Sequence, residues 1–81
     1  MPTGKDVIQL GYAHYRLWLS GISTTAQSGP LGVSHGTVAR RIQEYLYTKG
    51  LPTDLRDPYH LKRRGERMRR IFERSLAQWN E

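Results

Sequence analysis

The chain has no cysteine, which excludes a disulfide framework and a thiolate zinc site. No apolar run approaches the roughly 20 residues that cross a bilayer. The opening residues also lack the charged-then-apolar layout of a secretion signal, so a cytoplasmic location is the expectation. Acidic residues are scarce: seven Asp and Glu stand against thirteen Lys and Arg, giving a net charge of +6 at pH 7. That balance favours a polyanionic partner. A hydrophobic fraction of 37% still suits a folded chain, and 81 residues make one domain with a thin core.

Catalytic chemistry is equally short of parts. His14, His35 and His60 are far apart in sequence, with no cysteine to complete a metal set. Glu66 and Glu73 sit among arginines, a setting that does not suggest a general acid. No glycine-rich phosphate loop follows a convincing strand. The expectation is a non-enzyme without metal or cofactor.

What is present is organised around Leu31-Gly32-Val33-Ser34-His35-Gly36-Thr37-Val38-Ala39-Arg40-Arg41-Ile42. Gly32 can take the positive φ that ends one helix and reverses the chain. Ser34 is a good N-cap for the next, and Val33 and Val38 have the spacing of a hydrophobic staple. On a helical wheel Val38, Ile42, Tyr45 and Leu46 share one side, with Gly36, Arg40, Gln43, Glu44 and Tyr47 opposite. This helix is predicted over about 35–48, stopped by Lys49-Gly50 with Pro52 beyond.

Upstream, Thr3 can cap a first helix over about 4–20, with Val7, Ile8, Tyr12, Tyr15, Trp18 and Leu19 at three- and four-residue spacing and Gly21 at its end. Gly11 within it marks either close helix–helix approach or a weak point. Ser23-Thr24-Thr25 opens a short second helix to about residue 28, shortened by Gly29-Pro30, with Ile22 and Leu31 expected as core contacts on either side. Downstream, 51–57 reads as an ordered loop, and Asp57-Pro58 is a strong helix start. The last helix runs to about residue 80, near 33 Å by helical rise. Leu61, Gly65, Met68, Phe72, Leu76 and Trp79 form a seam along it like coiled-coil a/d positions. Glu66 with Arg70 and Arg69 with Glu73 are spaced to pair across one turn. No pair of alternating β-runs follows the third helix, so a winged variant is not expected. The fold class expected is all-α.

The pattern Leu-Gly-Val-Ser-x-x-Thr-Val-x-Arg-x-Ile resembles the turn and recognition helix of the helix-turn-helix family of DNA-binding proteins, over about residues 23–45. The resemblance implies a three-helix core plus the long final helix, and residues at the His35, Gly36 and Arg40 positions that commonly meet bases. Major-groove geometry selects His35, Gly36, Arg40, Gln43 and Glu44 for base contact. Arg40 stands out, since a guanidinium donates two bonds to guanine. Ser34, Thr37 and Arg41 flank that face and suit phosphate oxygens, as do Ser23, Thr24 and Thr25 at a helix start and the run Lys62, Arg63, Arg64.

The resulting expectation is a sequence-specific duplex-DNA-binding regulator. By analogy of size and motif it is a small repressor of the kind common on phages and plasmids, acting as a homodimer on a two-fold operator. Leu61, Met68, Phe72, Leu76 and Trp79 supply the expected dimer seam; the competing account folds that seam back onto the first helix. The rival functions are an adaptor gripping RNA polymerase or another protein through the same fold, and an architectural or recombination accessory protein.

Overall fold

The computed structural model describes residues 4–79, apart from the side chains of Lys5 and Val7. The expected cap at Thr3 and the place of Val7 in the first stripe therefore lie outside the described residues. The protein is all-α: helices α1 (Gly4–Leu19), α2 (Thr24–Leu31), α3 (His35–Thr48) and α4 (Pro58–Trp79), with no strand among the described residues. α1 packs chiefly on α3, α2 packs on α3, and the start of α4 returns to α1.

Chain reversal after each of the first three helices uses the same closure. Gly21, Gly32 and Gly50 all have positive φ. In each case the glycine N–H bonds back three residues and the next N–H five residues: Gly21 to Trp18 and Ile22 to Leu17, Gly32 to Gly29 and Val33 to Ser28, Gly50 to Tyr47 and Leu51 to Leu46. This is the Schellman arrangement, which satisfies carbonyls that the helix end leaves open. It places Val33 and Leu51 against the core. Side chains start the helices that follow: Ser23 Oγ accepts from Ala26 N–H, Ser34 Oγ from Thr37 N–H, and Asp57 Oδ1 from Tyr59 N–H.

The core is Tyr15, Trp18 and Leu19 of α1 against Val38, Ile42 and Leu46 of α3, the last three fully enclosed. Their four-residue spacing is the inward stripe of the wheel. Tyr12 does not join it fully: its ring lies at the rim, tilted against Tyr45 at 5.3 Å. Contact between α1 and α3 is closest at Gly11, where the backbone of α3 passes directly over the missing side chain.

Two expectations for α2 are corrected. The helix continues through Pro30 to Leu31, because Pro30 lies in the last turn, where the N–H it lacks costs one bond to the carbonyl of Ala26 and the Gly32 closure secures the rest. Ile22 and Leu31 are exposed instead of flanking α2 as core. The side chain α2 sends inward is Gln27, whose amide donates to the carbonyls of His14 and Ile22.

α4 is docked by polar groups. His60 is fully enclosed, its Nε2 2.6 Å from the carbonyl of Pro52 and its Nδ1 2.7 Å from the hydroxyl of Tyr15. The carbonyl can only accept, so Nε2 carries the proton and Nδ1 accepts from Tyr15. One turn on, Arg64 covers the Trp18 ring at 4.6 Å and donates from Nε to the Trp18 carbonyl. Arg67 Nε reaches Ser20 Oγ at 2.7 Å. Of the apolar seam, Met68 lies against the end of α1, beside Gly21. Residues 71–79 are exposed throughout, and this free length gives a radius of gyration of 14.2 Å, against about 12 Å for a compact chain of this size.

Candidate nucleic-acid interface

The outer face of α3 is built by the packing of its inner face. With Val38, Ile42 and Leu46 enclosed, the 3.6-residue period turns Gly36, Arg40, Gln43, Glu44 and Tyr47 outward, while His35, on the side of Val38 by period, is exposed because it is the first residue of the helix; all six are exposed. Arg40, Gln43, Glu44 and Tyr47 line an open depression with Thr48 and with Thr53 of the following loop. Tyr47, at 80% exposure, is the most prominent aromatic on this face. It sits on the polar side of the wheel but was not among the expected contact residues; Thr53, in the loop, carries no periodic signal.

Among the described residues the ion pairs are Arg56 with Asp54 and Arg69 with Glu73. Among these residues Arg40 thus has no carboxylate partner and Glu44 no cation. The expected pair Glu66–Arg70 does not form, while Arg69–Glu73 does at 3.0 Å. In the loop below α3, the backbone N–H and guanidinium of Arg56 hold the Asp54 carboxyl below its ordinary range.

The expected phosphate-binding side chains fall into two groups. Ser34, Thr37, Ser23, Thr24 and Thr25 lie at the N-terminal ends of α2 and α3. Ser34 and Ser23 spend an acceptor lone pair on their caps, and Ser34 Oγ meets Thr37 Oγ1 at 3.0 Å. Arg41 flanks the face half-buried, its Nη1 3.4 Å from Nε2 of the buried His14. The run Lys62, Arg63, Arg64 is not a uniform basic strip. Arg64 is committed to Trp18, and Arg63 lies between the rings of Tyr15 and Tyr59, at 5.8 and 5.7 Å, which leaves Lys62 as the one side chain of the three without such a contact. The cause is register: residues 60, 64 and 67 recur on the side of α4 that meets α1.

The dimer-seam residues Leu61, Met68, Phe72, Leu76 and Trp79 are all exposed, Phe72 at 63% and Trp79 at 86%. Ile71 joins them.

Sequence reasoning missed His14, Gln27 and His60 as buried polar anchors. No group of three or more His, Cys, Asp or Glu side chains suited to a metal ion occurs among the described residues, and no helix among them is long and apolar enough to cross a membrane. No protein-family model, curated protein or solved structure matches the chain.

Proposed function

We propose that this chain binds double-stranded DNA through the outer face of α3, as a sequence-specific transcriptional regulator acting most simply as a repressor. The observation that carries the reading is the row Gly36, Arg40, Gln43 and Glu44, with His35 at the helix start, exposed on a helix whose opposite stripe is fully enclosed. A rigid helix with polar hydrogen-bonding groups outward and a small residue near its start fits a major groove. The net charge of +6 supplies attraction to phosphate, and Arg40 supplies a bidentate donor that no carboxylate among the described residues holds back.

A homodimer belongs to this reading. One recognition helix reads only a few base pairs, and the uncovered apolar seam of α4 gives a second copy a surface to meet. The partner is another copy of the same chain, seam against seam. Selection of bound sequences from random duplexes tests both parts. A two-fold symmetric motif supports the reading. Binding without sequence preference favours an architectural accessory protein, and no binding at all favours a protein adaptor.

A further inference from the structure

Behind the exposed face of α3, three side chains from three helices form one continuous line of hydrogen bonds. Gln27 of α2 spends its amide nitrogen on two carbonyls, those of His14 and Ile22, each at 3.1 Å. Carbonyls only accept, so this amide has one possible orientation and its oxygen remains an acceptor. That oxygen lies 2.8 Å from Nδ1 of His14, which must therefore carry the ring proton. Nε2 of the same imidazole is left as an acceptor, and the guanidinium that meets it is Arg41, at 3.4 Å. His14 and Gln27 are both buried, at 3% and 5% exposure.

We propose that His14, oriented by Gln27, is the positioning residue for Arg41, holding that guanidinium ready for a DNA backbone phosphate beside the recognition face. This rests on the DNA-binding reading of α3. A guanidinium has five N–H donors in a fixed fork. One is directed at His14, and among the described residues no carboxylate takes the others. A long side chain already fixed in place loses less rotamer freedom when it meets its ligand, so tethering adds affinity without adding a contact. The imidazole suits this task because its two nitrogens face opposite ways, one to α2 and one to α3. The line also makes the phosphate contact depend on the seating of α2 against α1, two elements that need not touch the phosphate themselves.

The test is a double-mutant cycle on a short mixed-sequence DNA duplex, read by fluorescence anisotropy at several salt concentrations. Asparagine at position 14 can keep an N–H near the Nδ1 site for Gln27 but has nothing at the Nε2 site for Arg41. Arg41→Ala is expected to lower the salt slope by about one unit. His14→Asn is expected to weaken binding about threefold to tenfold in the parent, the equivalent of one ordinary hydrogen bond, and to have no further effect in the Arg41→Ala background. Equal weakening in both backgrounds, or none in the parent, would overturn the assignment. Should His14→Asn fail to fold, long-range ¹H–¹⁵N spectra of the unmodified protein decide: the Nδ1–H tautomer is expected, and the Nε2–H tautomer overturns the proposal. Normal DNA binding that ignores Arg41→Ala defeats this inference alone. Absence of binding by the unmodified protein defeats the DNA reading and this inference with it.

Discussion

Gly11 of α1 lies directly beneath the carbonyl of Arg41 in α3: a Cβ at position 11 would collide with that oxygen and come within 2.8 Å of Tyr45 Cβ. The obstructing atoms are backbone and a Cβ, which no rotamer change can move. Elsewhere in a helix, exchanging glycine for alanine gains about 1 kcal/mol of propensity. Here overpacking reverses the sign, and Gly11→Ala is expected to destabilise by about 1–3 kcal/mol. Gly65, whose Cβ would meet nothing, is the control: Gly65→Ala should stabilise. Urea unfolding of the two variants checks the contrast.

Tyr15 predicts a pH dependence. Burial raises its phenol pKa above the ordinary value near 10, against the opposing pull of Arg63, and burial raises Tyr45 likewise. A pKa raised by folding favours the neutral form, so this contribution to stability is complete below pH 10 and is lost as pH rises through the raised folded values. Thermal unfolding followed from about pH 8 to 11 should show a fall in Tm above pH 10 that is shallower in Tyr15→Phe. At neutral pH the same variant should be less stable by about 1–3 kcal/mol, because Nδ1 of the enclosed His60 loses its donor. Parallel Tm curves would remove Tyr15 as a cause.

The basic run at the start of α4 should separate into two behaviours. Arg64→Gln removes the guanidinium over Trp18 and its bond to the Trp18 carbonyl, a loss of about 1–2 kcal/mol in folding stability. Lys62→Gln should leave stability within about 0.5 kcal/mol of the parent and lower the salt slope of DNA binding by about one unit. Urea unfolding and a salt titration together distinguish them. An unchanged slope for Lys62→Gln would make it a solvated side chain.

The difference between these neighbours marks the limit of what sequence could tell. The turn at Gly32, the inward place of Val33, the inward stripe of α3 and the start of α4 at Asp57-Pro58 are all legible in the sequence, because each depends on local dihedrals, capping or a 3.6-residue period. The docking of α4 is not. Arginines at 64 and 67 turn inward while Phe72 and Trp79 stay in solvent, the reverse of what hydropathy suggests, because a cation–π contact and the Trp18 carbonyl for Arg64, and the Ser20 hydroxyl for Arg67, take the place of apolar burial. Gln27, His14 and His60 likewise carry no periodic signal; their partners are brought together only by the fold. Ile22, before α2, and Leu31, at its end, are apolar and so predict inward positions, but Gln27 fills that place.

The seam on α4 leads to an assembly prediction. Phe72 and Trp79 are among the most exposed apolar side chains of the chain, and Phe72 lies beyond the turns of α4 that dock on α1. Phe72→Glu should therefore leave the fold intact and prevent pairing. Sedimentation at micromolar concentration is expected to give a dimer for the parent and a monomer for the variant. A folded parent monomer that binds an asymmetric site at full affinity would contradict the homodimer.

If α3 reads base sequence, Arg40 is the side chain whose loss should show it. Its guanidinium is exposed on the outer face of α3 with no carboxylate partner among the described residues. The measurement is the affinity of Arg40→Ala for the duplex recovered by selection and for every single-base variant of it. A loss of about 1–3 kcal/mol on the best site and relaxed preference at one base position are expected. Equal weakening on every sequence would make Arg40 a phosphate contact and contradict the orientation of α3 in the groove.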